Sequence, residues 1–181
     1  MIYNIMNFIY ILLILTFIIL FLCNFATEHY SNVHTFSKID SHIYLSSYKM
    51  ANDKKILNKY KIKNILTIMP ECNDCDKMNK YKGINYLQIS KEDNQNENLK
   101  EEFDKCFKFI NNAIDNEENI LIHCRAGKSR SPTIIAAYLI KKYGLSRDDA
   151  LNYMKKNRKI ISPNPGFMKQ LKEFEAEVKN K

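Results

Sequence analysis

The chain has 181 residues, room for a leader or membrane segment and one domain of about 150 residues, but not for a second domain of that size. Twenty-eight Lys and Arg against 20 Asp and Glu give a formal net charge of +8, which favours anionic partners. The lysines are scattered among glutamates with no basic block interleaved with aromatics, which argues against nucleic acid. Five cysteines without framework spacing exclude a disulfide scaffold and fit a reducing compartment.

From Ile5 to Phe25 the side chains are overwhelmingly apolar, interrupted mainly by Asn7, Thr16 and Asn24, and the first charged side chain is Glu28. About 18 to 20 apolar residues can cross a hydrocarbon core as a helix, whereas a signal-peptide core has roughly 7–15. Residues 1–26 are therefore predicted to be a transmembrane anchor or an uncleaved signal, with cleavage after Ala26 as the competing reading. No Lys or Arg precedes the segment, so a single-pass anchor would leave the domain in the cytosol; if the segment is cleaved, the secretory pathway is the alternative. Residues 27–34 read as a linker and 35–181 as the folded domain.

Phe36-Ser37-Lys38-Ile39 and Ile43-Tyr44-Leu45 predict a hairpin around Asp40-Ser41, Ala51 to Tyr60 a helix, and Ile62 to Ile68 a buried strand stopped by Pro70. Cys72 and Cys75 have a Cys-x-x-Cys spacing, but no second Cys/His pair supports zinc and no strand runs directly into a helix there. The pair reads as incidental to a surface loop, and no metal is expected. Ile84 to Ile89 predicts another strand, and Ser90 to Glu97, polar throughout, an exposed loop. Asn98 and Glu101 have capping-box spacing, opening a helix with Leu99, Phe103, Cys106, Phe107, Ile110 and Ile114 on one face.

Asn119-Ile120-Leu121-Ile122 reads as a strand running into His123-Cys124-Arg125-Ala126-Gly127-Lys128-Ser129-Arg130-Ser131, and Pro132 to Ile140 as a helix with Pro in its first turn. A tight strand-to-helix loop can turn backbone N–H groups inward as an anion nest, reinforced by the helix dipole. Gly127 permits the turn, and Arg130 offers a planar fork for two phosphoryl oxygens. Thiols at helix N-termini or beside cations are lowered from ~8.5 to roughly 3.5–7.5, which makes Cys124 a candidate nucleophile. The polar loop also carries two adjacent acids, Glu92 and Asp93. Beyond the helix, Gly144 reads as a C-cap, Ser146 as the N-cap of a helix to about Arg158, and Asn164-Pro165 as the start of a last helix carrying Phe167, Leu171, Phe174 and Val178.

His123 to Ser131 resembles the signature loop of the cysteine-dependent protein tyrosine phosphatase superfamily, and the trailing Arg130-Ser131-Pro132 resembles its dual-specificity branch. The segment Ser162 to Leu171 resembles the C-terminal motif of those phosphatases, in which Pro-Asn, Gly-Phe and Gln-Leu recur. The resemblance covers about residues 33–179, and an acid loop ahead of a late cysteine separates the chain from arsenate reductases, low-molecular-weight phosphatases and rhodanese-type sulfurtransferases. It implies an α/β fold, a central mixed sheet of about five strands flanked by helices and preceded here by the hydrophobic segment. A monomeric catalytic domain acting on phosphorylated proteins without a cofactor is also implied.

Asp93, by its place before Asn98-Leu99, is the implied proton donor. Cys124 becomes the nucleophile, Arg130 the phosphate grip and Ser131 the hydrogen-bond partner of the departing thiolate. The implied phosphate cradle is Arg125, Ala126, Gly127, Lys128, Ser129 and Arg130. His123 either orients the loop or is purely structural. Arg125 and Lys128 add two cations, as in some phosphoinositide phosphatases, so a lipid substrate is one alternative and an inactive phosphoprotein-binding module another. The chain departs from the family pattern at Ser46 (glycine in the family), at Thr67 (commonly asparagine) and in the polar stretch Cys72 to Tyr81.

Overall fold

Alternating side chains along three apolar runs place a sheet between two cores. Strand β2 (Ile43–Ser47) sends Ile43 and Leu45 to one face and Tyr44 to the other; β3 (Ile62–Ile68) divides Leu66 and Ile68 from Ile65, and β5 (Asn119–Cys124) divides Ile120 and Ile122 from Leu121. With β1 (Ser37–Lys38) and β4 (Asn85–Ile89) they form a five-stranded mixed sheet in the order β1-β2-β5-β3-β4, parallel except for β1. The predicted hairpin is β1 and β2. The central strand, β5, ends at Cys124 with β2 on one side (Ser47 opposite Cys124) and β3 on the other (Thr67 opposite His123). The carboxyl edge of a parallel sheet is the usual place for a ligand crevice.

The computed structural model describes residues 10–24, 35–70 and 80–180, and the chain divides into the units Met1–Asn32 and Val33–Lys181. In the second unit the larger core lies between the sheet and helices α4 (Phe103–Asp115), α5 (Arg130–Tyr143), α6 (Arg147–Lys155) and α7 (Pro165–Lys179). Residues 130–140 of α5 are buried without interruption, so this helix is packed on all sides. The smaller core lies under α2 (Tyr48–Ala51) and α3 (Lys54–Lys59), with Phe36 and Tyr60 stacked at its edge, ring centroids 4.4 Å apart. Gly144 closes α5 in the left-handed conformation at φ 65°, and Asn164 caps α7 by accepting from the Phe167 N–H at 3.0 Å.

Several boundaries differ from the sequence expectation for local reasons. The helix predicted from Ala51 to Tyr60 is broken in two, because the Asp53 carboxylate accepts from the Lys55 and Ile56 N–H groups and starts a new helix. The capping box at Asn98 and Glu101 does not form. Asn98 Nδ2 instead donates to Glu101, a 3₁₀ turn (Lys100–Glu102) precedes α4, and the orphan Leu99 and Lys100 N–H groups both donate to Gln170 of α7. Helix α6 ends at Lys155 rather than near Arg158, and Arg158 turns inward.

In the first unit, α1 covers residues 10–24. Fifteen residues at about 1.5 Å each span about 22 Å, short of a hydrocarbon core of about 30 Å. No helix among the described residues is long and apolar enough to cross a membrane. The single-pass anchor, and the membrane localisation and membrane contact derived from it, are therefore corrected; the flanking apolar residues 5–9 and 25 lie outside the described residues. Cys72 and Cys75 lie outside them too.

Candidate active site

The turn between β5 and α5 is shaped by where its carbonyls go. The Arg125 oxygen accepts from the Tyr48 N–H at 3.1 Å, and the Lys128 oxygen from the Ser162 N–H at 2.8 Å. Between them, the Ala126 and Gly127 oxygens accept from Nη2 and Nε of Arg158, each at 2.8 Å. A trans peptide points its C=O and N–H in opposite directions, so holding four successive carbonyls outward turns the N–H groups of Ala126, Gly127, Lys128 and Ser129 the other way. Inward N–H groups at the start of α5 have the form of an anion nest. Gly127 is needed twice over: its φ is 64°, and a Cβ there would lie 2.4 Å from the Ser46 carbonyl oxygen.

Cys124 is buried at the end of β5, and Ser131 Oγ donates to its Sγ at 3.2 Å. His123 is completely buried, with Nδ1 3.4 Å from the Cys124 carbonyl oxygen and Nε2 2.8 Å from Thr67 Oγ1. A carbonyl only accepts, so Nδ1 carries the proton and Nε2 accepts from the Thr67 hydroxyl. Burial holds the imidazole neutral by pulling its pKa down to about 4, with the Arg130 charge acting in the same direction and the Cys124 carbonyl opposing. Thr67, the departure from the family pattern on β3, thus keeps a donor against His123.

Arg130 is buried, and its Nη1 donates to the Lys91 carbonyl at 3.1 Å. Its Nε has no hydrogen-bond partner among the described residues and lies 3.9 Å from Asp93 Oδ2. Asp93 Oδ1 accepts from Ser129 Oγ at 2.7 Å and from Asn164 Nδ2 at 2.9 Å. One carboxylate oxygen is thus committed to two donors while the other faces the guanidinium. Glu92 is exposed, and its backbone N–H donates to Glu97. Of the two loop acids, the structure brings Asp93 to the turn. Arg125 and Lys128 are exposed on the turn, Ala126 is half-buried, and Ser129 is buried.

Sequence reasoning missed Arg158 and Asn164 as parts of this site. Arg158 is 2% exposed, and besides the two loop carbonyls it donates through Nη1 to the Thr35 carbonyl at 2.9 Å and hydroxyl at 2.6 Å. Burial lowers its pKa to about 10, an effect that the Cys124 charge opposes. Asn164 carries a signal in the C-terminal motif, where it reads only as a helix cap, a role it also fills.

Residues 43–177 match the family model described as dual specificity phosphatase, catalytic domain. Dual specificity protein phosphatase 1 of Arabidopsis thaliana is 34% identical over 142 residues, which cover 78% of this chain and 70% of that relative. Human dual specificity protein phosphatase 8 is 35% identical over 143 residues, 79% of this chain and 22% of that protein. Among solved structures, human tyrosine phosphatase-like serine/threonine/tyrosine-interacting protein aligns with a TM-score of 0.74 at 32% identity, over 78% of this chain and 96% of that one.

Proposed function

The chain belongs to the dual-specificity phosphatase family, and from that premise we propose that it hydrolyses phosphotyrosine and phosphoserine or phosphothreonine in proteins through a cysteinyl-phosphate intermediate. The observation that carries this reading is the Asp93 carboxyl group, held through Ser129 and Asn164 at the rim of a turn whose carbonyls are all directed outward. In the first step the Cys124 thiolate attacks phosphorus in line, the bond from phosphorus to the ester oxygen breaks, and Asp93 gives that oxygen its proton. Oδ2 is the oxygen suited to carry the proton, since Oδ1 already accepts two hydrogen bonds. The N–H groups of the nest and the Arg130 fork take the charge on the equatorial oxygens.

In the second step Asp93 accepts a proton from water, the water oxygen attacks phosphorus, and the phosphorus–sulfur bond breaks to return the thiolate. Ser131, 3.2 Å from the sulfur, donates to it as its charge reappears. His123, neutral and clamped between Thr67 and the Cys124 carbonyl, orients the end of β5. Arg125 and Lys128, both exposed, would meet acidic groups around the phosphorylated residue.

Turnover of para-nitrophenyl phosphate, a phosphotyrosine peptide, a phosphothreonine peptide and a phosphoinositide tests the assignment. Cys124→Ser should lower turnover by at least ~10³-fold while phosphopeptide binding persists. Retained turnover would overturn the mechanism. Phosphopeptide binding by the wild-type chain without turnover would instead mark a binding module.

A further inference from the structure

Building on the reading of Asp93 as proton donor, we propose that Gly166 and Gln170 of α7, which do not contact the reacting atoms, are positioning residues that set where Asp93 stands. The segment from Ser90 to Leu99 has no strand or helix of its own. Its internal bonds are few: Glu97 N–H to the Asn94 carbonyl at 3.3 Å, Asn96 N–H to Asn94 Oδ1 at 2.9 Å, the bond from Glu92 to Glu97, and Lys91 Nζ to Glu97 Oε1 at 3.1 Å. Arg130 holds its entry through the Lys91 carbonyl. Most of the remaining frame comes from α7.

Two contacts make that frame. A Cβ built on Gly166 would lie 1.9 Å from the Gln95 carbonyl oxygen and 2.6 Å from its carbon, so the loop's apex rests directly on the helix backbone, where only glycine fits. One turn further on, Gln170 Oε1 accepts from the Leu99 and Lys100 N–H groups, both at 2.8 Å, and its Nε2 donates to the Glu97 carbonyl at 2.7 Å. One side-chain amide thereby fixes the loop's exit. Asp93 is two residues from the apex contact, so a shift of Gln95 has little chain in which to dissipate before it moves the carboxyl group. Asn164, at the start of the same helix, meets that carboxyl group directly. The Pro-Asn, Gly-Phe and Gln-Leu pairs of the C-terminal segment thus supply three anchors to one loop.

The test uses the full chain with Gly166→Ala and Gln170→Leu, and Asp93→Asn as reference. A phosphothreonine peptide, whose alkoxide needs the proton, is compared with para-nitrophenyl phosphate, whose leaving group needs it less. Inhibition by inorganic phosphate reports on the nest. Both α7 variants should lose ~10- to ~100-fold in kcat on the peptide, part of the roughly 10²–10⁴-fold that a positioned acid contributes, with a smaller loss on the aryl ester and unchanged phosphate inhibition. Gln170→Glu keeps the acceptor for Leu99 and Lys100 and should recover much of the rate, which separates positioning from failure to fold. If Asp93→Asn discriminates between the two substrates but the α7 variants match wild type, or lose both substrates and phosphate inhibition together, the inference fails while the acid assignment stands. If Asp93→Asn does not discriminate, the acid assignment fails and takes the inference with it.

Discussion

 Arg158 shows how one side chain can shape a turn from behind. Its guanidinium directs two loop carbonyls outward, yet in sequence it sits unmarked in the Lys155-Lys156-Asn157-Arg158-Lys159 run, where every neighbour is polar. Nothing in that local pattern marks Arg158 as buried. Cys124, Gly127, Arg130 and Ser131, by contrast, were legible because their chemistry is contiguous in sequence and flanked by an apolar strand and helix. Arg158→Met keeps an apolar stem but leaves the Ala126 and Gly127 oxygens without donors. It should cost about 2–4 kcal/mol of stability in urea unfolding and weaken inhibition by inorganic phosphate roughly 10-fold, since the nest loses its shape. A variant that unfolds like wild type and binds phosphate as well would show that the turn holds itself.

At the scale of elements, the strands were readable because apolar runs flanked by polar loops leave few other structures, and Ser146 and Asn164 announced α6 and α7, whereas the starts of α3 and α4 were not readable. The orphan N–H groups ahead of α4 find their acceptor on Gln170, 71 residues after Leu99, and no local pattern can announce such a cap. The pairing of β3 with β5 raises a similar point at the site, because it sets Thr67 opposite His123 and brings hydroxyl and imidazole within 2.8 Å. Thr67→Val preserves the shape and removes the donor, leaving Nε2 of a fully buried histidine unpaired. The expected result is a roughly 5- to 10-fold fall in kcat with KM little changed, equivalent to about 1 kcal/mol, and recovery in Thr67→Asn, which restores a donor. Equal kinetics in Thr67→Val and wild type would reduce the pair to packing.

Over the whole molecule, the central mixed sheet was evident from pattern, but a hydropathy count over residues 5–25 could not show that no helix among the described residues is long and apolar enough to cross a membrane. Nor could it show how much converges on α7: besides the acid loop, this helix reaches α6 through Glu175, whose carboxylate accepts from the Arg147 N–H at 3.2 Å and meets Lys172 and Lys179. The Lys179 bond is the main reason that the Glu175 pKa falls from 4.5 to about 2, with the Arg147 N–H and Lys172 adding to it against the cost of burial. Because the folded value is depressed, the unfolded chain binds the extra proton, so this stabilisation is complete above about pH 4.5 and disappears as pH falls toward 2. His123 acts in the same direction at higher pH: lowered from 6.5 to about 4, it stays neutral in the fold while the unfolded chain takes up a proton, and stability declines as pH drops across that interval. Urea unfolding from pH 8 to pH 3 should therefore show a first decline below about 6.5 and a second below about 4.5. In Glu175→Gln the first decline should persist and the second should flatten, with lower stability than wild type at pH 7; parallel curves for the two proteins would mean that the α6–α7 junction draws no stability from the carboxylate charge.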